Sequence, residues 1–154
     1  MASAERSLVF RALEINVIEG RADDVALTDA GGSTTYARLL HDSASIAGAL
    51  RQLGVDADGV VAIDLPEGRH LVMALLACAR LGARIGSTGT FRFAGDPVVL
   101  STPDTDVEWD VLLRAGRTDP AGAPDADPTG YAEQLLADHG HVFGPLLDGG
   151  TVAW

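Results

Sequence analysis

Hydrophobic positions recur at helical spacing in three parts of the chain. Apolar residues three or four apart predict a helix over residues 7–18, a second from the Thr34–Thr35 pair to residue 53, and a third over residues 67–81. A threonine hydroxyl is a good cap for the start of the second helix. A glycine follows each predicted helix and is expected to end it: Gly20, Gly54 and Gly82.

Shorter apolar runs alternate with these helices and predict strands. Residues 60–63 form a continuous aliphatic run typical of a strand covered on both faces, and residues 25–28, 98–101 and 151–154 form similar short runs. Further helices are predicted over residues 106–115 and 131–137, followed by an ordered segment at 142–147. Strands alternating with helices over short connections predict an α/β fold, with a small, mainly parallel sheet flanked by helices.

The amino-acid composition changes twice along this predicted fold. Residues 7–83 form a helix-strand-helix-strand-helix unit, residues 84–130 are rich in glycine, proline and acids, and residues 131–154 supply a helix and a terminal strand. We expect one domain over residues 1–154. Within the middle region, residues 119–129 are mostly Pro, Asp, Ala and Gly, a composition that buries little apolar area, so we expect a mobile surface excursion there.

Composition and charge narrow the possible chemistry. The chain has 22 acidic and 11 basic residues, a formal net charge of −11, and all its basic residues are arginine. Without lysine, this sequence cannot form a lysine Schiff base or supply a phosphate-loop lysine. The strong negative charge also makes nucleic acid an unexpected partner.

The cysteine content and the longest apolar run bear on location. Cys78 is the only cysteine, so no intramolecular disulfide can form and a reducing compartment is expected. The longest apolar run, residues 71–79, is too short to span a bilayer. We therefore expect a cytoplasmic protein without a membrane partner.

Two stretches of the sequence resemble a known family. Residues 25–39, including Ser33-Thr34-Thr35-Tyr36, and residues 49–83, including Leu53-Gly54-Val55, are similar to the opening of the adenylate-forming superfamily. This superfamily includes acyl-CoA synthetases, adenylation domains of nonribosomal peptide synthetases, and luciferase. Residues 143–152 resemble a later helix-and-strand segment of the same enzymes. The resemblance implies a truncated N-terminal part of that fold with an internal deletion.

A short glycine-rich segment is the candidate nucleotide site that this resemblance implies. The run Gly86, Ser87, Thr88, Gly89 and Thr90 is similar to the Ser/Thr/Gly-rich phosphate loop of the family, in which backbone N–H groups and hydroxyls hold phosphate oxygens. Arg92 stands near the place of the family's lysine. ATP, AMP or an acyl-adenylate would be the ligand. The alternative is a glycine-rich turn at the junction of the deletion.

A second candidate site lies near the C-terminal end. His141 and Phe143 fall where a complete synthetase places residues that line the acyl pocket, so they are candidates for its wall; the alternative for the histidines is an ordinary surface position. No metal site is predicted, because the histidines lack a third ligand nearby in sequence. Cys78 lies on the apolar face of a predicted helix, which favours a packing role.

These observations predict a protein without a catalytic set of its own. The family's catalytic lysines, its Tyr-Gly-x-Thr-Glu motif and its C-terminal lid are all missing from this sequence. We expect a catalytically incomplete component of acyl or natural-product metabolism that binds a ligand, a synthetase, a carrier protein or a second copy of itself. The alternatives are half of an acyl-activating ligase that obtains its lysine and lid from a second polypeptide, and a purely structural module.

Overall fold

The predicted alternation of strands and helices is present in the computed structural model, which describes residues 6–154. The chain divides into two compact units. One contains the chain up to Leu40 together with Ala123–Trp154, and the other contains His41–Gly122. We call them the terminal unit and the central unit. The single domain expected over residues 1–154 stays a prediction.

The terminal unit is built on a three-stranded sheet. Two π-helical segments, Phe10–Glu14 and Val17–Arg21, precede β1 (Val25–Asp29) and β2 (Gly32–Thr35), and helix α1 (Tyr36–Gln52) begins in this unit. The unit is completed by the last helix and the last strand of the chain, Tyr131–Leu147 and Val152–Ala153. The last strand pairs in parallel with β1, whereas β2 pairs antiparallel with it.

The central unit is built on a five-stranded sheet. After α1 come β3 (Val60–Asp64), α2 (Arg69–Leu81), β4 (Arg84–Gly86), β5 (Phe91–Ala94), β6 (Val99–Ser101), β7 (Asp106–Glu108) and α3 (Trp109–Gly116). The strand order is β4-β3-β5-β6-β7. Strands β4 and β5 flank β3 and run parallel to it, and the remaining pairs are antiparallel. In chain order the last helix is α4 and the last strand is β8.

The α/β class is confirmed, but the sheet is not a single, mainly parallel one. Each of the two sheets combines parallel with antiparallel pairs. The antiparallel pairs come from tight turns that return the chain directly beside the strand it has left. In the first of these turns, the Asp29 carboxylate accepts the Gly31 N–H at 2.9 Å, which closes a local turn of the kind aspartate favours.

Three helix predictions change at their ends. Residues 32–35 form β2, although the Thr35 hydroxyl still accepts the Arg38 N–H at 3.2 Å as the predicted helix cap. Residues 106–108 form β7 because they pair with β6, so α3 begins only at Trp109. The segments predicted around residues 131–147 join into α4, which is kinked at His139.

Apolar side chains fill a core in each unit. Tyr36, Leu27 and Phe143 are completely buried in the terminal unit, and Leu75 and Phe93 are completely buried in the central unit. Within residues 6–154, none of the helices has both the length and the apolar character that a bilayer span requires.

The segment expected to be a mobile excursion is partly fixed. Ala121 is 2% exposed, and its N–H donates to the Ala44 carbonyl on α1 at 3.0 Å. Its own carbonyl accepts from Arg80 of α2 at 3.4 Å. The first part of the segment is therefore held against two helices of the central unit, because its backbone polar groups find partners that its side chains do not provide.

This contact requires a small residue on α1. A Cβ atom added at Gly48 would collide with the carbonyl of Asp119 and approach Pro120 Cα to 3.0 Å. Both neighbours are backbone, so neither can move aside as a flexible side chain would. Gly48 thus allows residues 119–121 to lie directly on the helix.

We predict that Gly48→Ala destabilises the protein by roughly 1–3 kcal/mol, the usual cost of overpacking, although alanine is the better helix former. Urea denaturation followed by circular dichroism measures the effect. Gly144→Ala in α4 is the control, because an added Cβ meets nothing within 4 Å there. A Gly48→Ala variant as stable as wild type would contradict the close contact.

Candidate functional site

The glycine-rich segment crosses the middle strand of the five-stranded sheet. Strand β4 ends at Gly86 on one side of β3, and β5 begins at Phe91 on the other side. Residues 87–90 therefore carry the chain across β3 from one neighbour to the other. We call residues 87–90 the crossing.

The glycines allow the chain to pass close to β3. A Cβ atom on Gly89 would lie 2.8 Å from the Val60 carbonyl oxygen, closer than real Cβ atoms approach, and one on Gly86 would lie 3.1 Å from a Val60 methyl group. The glycine content therefore has a packing reason. The other three residues of the crossing, Ser87, Thr88 and Thr90, are exposed.

The crossing and Arg92 lie on the same face of the sheet. Gly86 and Arg92 are both paired in register with Ala62, and paired residues of neighbouring strands point to the same face. A Cβ on Gly86 would come within 3.4 Å of the Thr88 carbonyl oxygen, so Thr88 lies over that face. Ala62 itself is only 1% exposed. The structure thus places Gly86, Thr88 and Arg92 on one face, and Ser87, Gly89 and Thr90 belong to the same crossing.

Arg92 already has an anionic partner. Its Nη2 lies 2.7 Å from the Asp64 carboxylate at the end of β3, and the two side chains are 42% and 70% exposed. An external phosphate would have to compete with this carboxylate. Contact between phosphate and the predicted residues stays a prediction.

Sequence reasoning missed two charged residues of this face. Arg84 is exposed and pairs with Val60, which places it on the face of Gly86 and Ala62, and Asp64 follows Ala62 by two positions. The signal was present in the sequence, since residues two apart on a strand share a face. It was not usable because β4 has only three residues and was not predicted.

The two acyl-pocket candidates lie in the terminal unit and are not alike. Phe143 is completely buried in the core, whereas His141 is exposed, with its ring 6.4 Å from that of Trp154. The geometry gives Phe143 a packing role. A pocket wall at these residues stays a prediction.

Cys78 is completely buried on α2, and burial raises the pKa of its thiol to about 12. A thiol in this state is a poor nucleophile, because the thiolate is the reactive form. Within residues 6–154, no three His, Cys, Asp or Glu side chains are placed to hold a metal ion.

The comparisons with known proteins bear on the part of the chain that leads to the crossing. Residues 15–86 match the family described as AMP-binding enzyme. An acetyl-coenzyme A synthetase of Yersinia pestis is 37% identical over 92 residues, which are 57% of this chain and 14% of that protein. The chain carries a segment of the adenylate-forming superfamily.

Two further comparisons cover a larger share of this chain. An acetyl-coenzyme A synthetase of Streptomyces avermitilis is 32% identical over 115 residues, which are 71% of this chain and 18% of that enzyme. The crystal structure of a benzoate CoA ligase from Burkholderia xenovorans matches 80% of this chain and 30% of that chain, with a TM-score of 0.61 and 21% identity. The last match shows a shared fold. The chain spans less than a fifth of the two synthetases.

The adenylate-forming match ends where the crossing begins. Its last residue is Gly86, so the hydroxyl residues of the crossing and Arg92 lie outside the matched range. The scaffold of β3, α2 and β4 is thus the family's, and the family match lends no support to a phosphate role for residues 87–92.

We predict that Gly89→Ala lowers the free energy of unfolding by roughly 1–3 kcal/mol, because the new methyl group would press on the backbone of β3. Gly122→Ala is the matched control, since its added Cβ meets nothing within 4 Å. Thermal denaturation measures both. Equal melting temperatures for the two variants would show that the crossing does not lie as close to β3 as described.

A pH effect is expected at the kink of α4. Burial lowers the pKa of His139, the charge of His141 lowers it further, and Asp138 opposes both. The unfolded chain therefore takes up a proton at this histidine more readily than the folded chain, so stability falls as the pH drops below the unfolded pKa of about 6.5. We predict that His139→Gln reduces this loss between pH 7 and pH 5.5, measured by urea denaturation. The exposed His41, changed to Gln, is the matched histidine-to-glutamine control.

Proposed function

We propose that this chain is a binding component of an AMP-forming, acyl-activating system that does not perform adenylation alone. One observation carries the proposal. The residues that match the family lead directly into a candidate site whose cationic residues are all arginines. The crossing, with three exposed hydroxyl residues, leads into the strand that carries Arg92, while no lysine occurs among the 154 residues. Binding of an anionic group is the chemistry these residues support.

The type of cation matters for this proposal. Arginine holds a carboxylate or phosphate with a planar fork, whereas lysine supplies a compact charge that can follow a phosphate through a reaction. Arg92 is moreover engaged by Asp64 at 2.7 Å. An arginine in place of a lysine favours holding an anion over transferring an adenylyl group, and an anion that binds Arg92 must displace the Asp64 carboxylate.

A protein partner is the second part of the proposal. Strand β8 lies at the edge of its sheet, and the adjacent Trp154 is 40% exposed. A strand at a sheet edge presents backbone groups that another chain can pair with. We propose a synthetase or carrier protein as the partner, with a second copy of this chain as the alternative, and a cytoplasmic location, which suits a chain with a single buried thiol.

A second candidate function is half of an acyl-activating ligase. It is favoured by Ser87, Thr88 and Thr90, which are exposed in the segment before the strand of Arg92 and resemble a phosphate-contacting loop. In this case a second polypeptide supplies the lysine and the lid. The two candidates differ in whether adding the partner produces adenylation.

We predict that the purified chain binds ATP or AMP weakly and shows no ATP–pyrophosphate exchange above background, whether Arg92 is present or changed to Gln. Exchange assays across a panel of carboxylic acids, together with isothermal titration, test this. Exchange by the chain alone that disappears in Arg92→Gln would overturn the proposal.

The proposed protein partner is tested by adding purified acyl-activating synthetases and carrier proteins from the same source organism. Binding of one of them, with exchange still absent from this chain's own site, supports the binding component. Exchange that requires both polypeptides and is lost in Arg92→Gln supports the half-ligase instead. If neither a nucleotide nor any of these proteins binds, both candidates fail.

A further inference from the structure

The terminal unit contains a cavity between residues 6–11 and the start of α4. Its volume is about 250 Å³, which suits a small ligand. Residues 6–11 and 126–133 both lie outside the residues that match the adenylate-forming family, 15–86. The polar and charged residues that line the cavity are Arg6, Arg11, Asp127, Thr129 and Glu133.

A hydrogen bond joins the two walls of this cavity. The N–H of the completely buried Leu8 donates to Asp127 Oδ2 at 2.8 Å. The other oxygen of this carboxylate is also buried and has no hydrogen-bond partner within residues 6–154. Burial raises the pKa of Asp127, whereas the Leu8 N–H and the charge of Arg11 lower it and Glu133 raises it again. Asp127 therefore holds the walls together in a place that disfavours its own negative charge.

Two guanidinium groups belong to the wall formed by residues 6–11. The guanidinium carbon of Arg6 lies 3.8 Å from the centroid of the Phe10 ring, a contact that orients the planar group. Arg11 Nε donates to the Arg6 carbonyl at 3.0 Å. Arg11 is thereby held at the cavity, while its two terminal nitrogens can still donate to a ligand.

The opposite wall contains the first turn of α4. The helix begins at Tyr131, and the Gln134 N–H bonds to the carbonyl of its N-cap, Gly130, at 3.1 Å. The N–H groups of Ala132 and Glu133 come before this bond and have no partner within the helix, because the residues four positions earlier precede it. Ala132 and Glu133 both line the cavity. Unpaired N–H groups at a helix start favour negative charge.

Two exposed carboxylates oppose an anion at this place. Asp125 Oδ1 lies 4.0 Å from Arg6 Nη2, and its side chain is fully exposed. Glu133 is exposed in the first turn of α4. Water screens such charges, so they interact only weakly with a neighbouring cation. These carboxylates therefore weaken the attraction of the cavity for an anion, and removing one of them should strengthen it.

We propose that this cavity is a further binding site of the protein for a small oxyanion, a phosphate or carboxylate group held by Arg11, Arg6 and the first N–H groups of α4. A guanidinium group binds either kind of oxyanion through paired N–H donors. The inference goes beyond the proposed function, because it adds a ligand site built from residues outside the family match. It does not depend on the crossing, which belongs to the central unit.

The test titrates the full chain at low ionic strength with inorganic phosphate, acetate or methylammonium and follows the backbone amide chemical shifts. Phosphate or acetate should cause saturable shifts in residues 6–11 and 126–133, with Ala132 and Glu133 among those affected most. The more tightly bound of the two anions identifies the group that the cavity prefers. Saturable binding of methylammonium instead, or shifts confined to other residues, would overturn the proposal.

The role of Arg11 is tested by Arg11→Gln. This variant should bind the preferred anion about tenfold more weakly, the factor that one lost charge-assisted hydrogen bond corresponds to. Arg117→Gln is the matched control, because it removes the same charge from an exposed position of the central unit. Equal losses in the two variants would show that only net charge matters. Circular dichroism checks that both variants remain folded.

Glu133→Gln tests the opposite sign at an exposed position. Removing this charge should tighten anion binding about two- to threefold, whereas Glu67→Gln, an equally charged change at an exposed position of the central unit, should leave the affinity near that of wild type. An unchanged affinity in Glu133→Gln would contradict a ligand at the start of α4. These results are independent of the proposed function, whose tests measure pyrophosphate exchange and partner binding.

Discussion

The central sheet depends on the passage of the chain across β3. Strands β4 and β5 flank β3 and run parallel to it. The four residues that join them must therefore pass over β3, close to its backbone. This is possible only where the crossing residues carry no Cβ at the point of closest approach, as at Gly89 above the Val60 carbonyl. The register of β4 and β5 with β3 places Arg84 and Arg92 on one face of the sheet.

A second close approach organises the helical side of the central unit. Gly48 lets residues 119–121 lie on α1. The Ala121 N–H then donates to the Ala44 carbonyl, and the Ala121 carbonyl accepts from the Arg80 side chain. A segment too polar to pack by its side chains is thereby fixed through its backbone. In both places a glycine allows two stretches of backbone to lie close together, at Gly48 on α1 and at Gly89 on the crossing.

The relation to the adenylate-forming superfamily covers the scaffold beside the candidate site, but not the crossing or Arg92. The matched residues, 15–86, supply strand β3, helix α2 and strand β4, so the family's scaffold reaches the start of the crossing. Of the two cations of this face, Arg84 lies within the matched residues and Arg92 beyond them, and Arg92 is paired with Asp64. The scaffold alone does not decide the chemistry, because packing of the sheet and the work of a few side chains depend on different residues.

The sequence alone determined the long elements of this protein and the residue types of its candidate site. Helices α1 and α2 follow from apolar periodicity, and strand β3 follows from a continuous apolar run. Gly82 ends α2 with a left-handed φ of 67°, as predicted. The short strands β2, β4 and β7 have no readable period over three or four residues, so only their pairing partners decide them. The tertiary structure therefore decided that both sheets are mixed, that Arg84 and Arg92 share a face, and that Asp64 pairs with Arg92, because each of these depends on strand register rather than on local sequence.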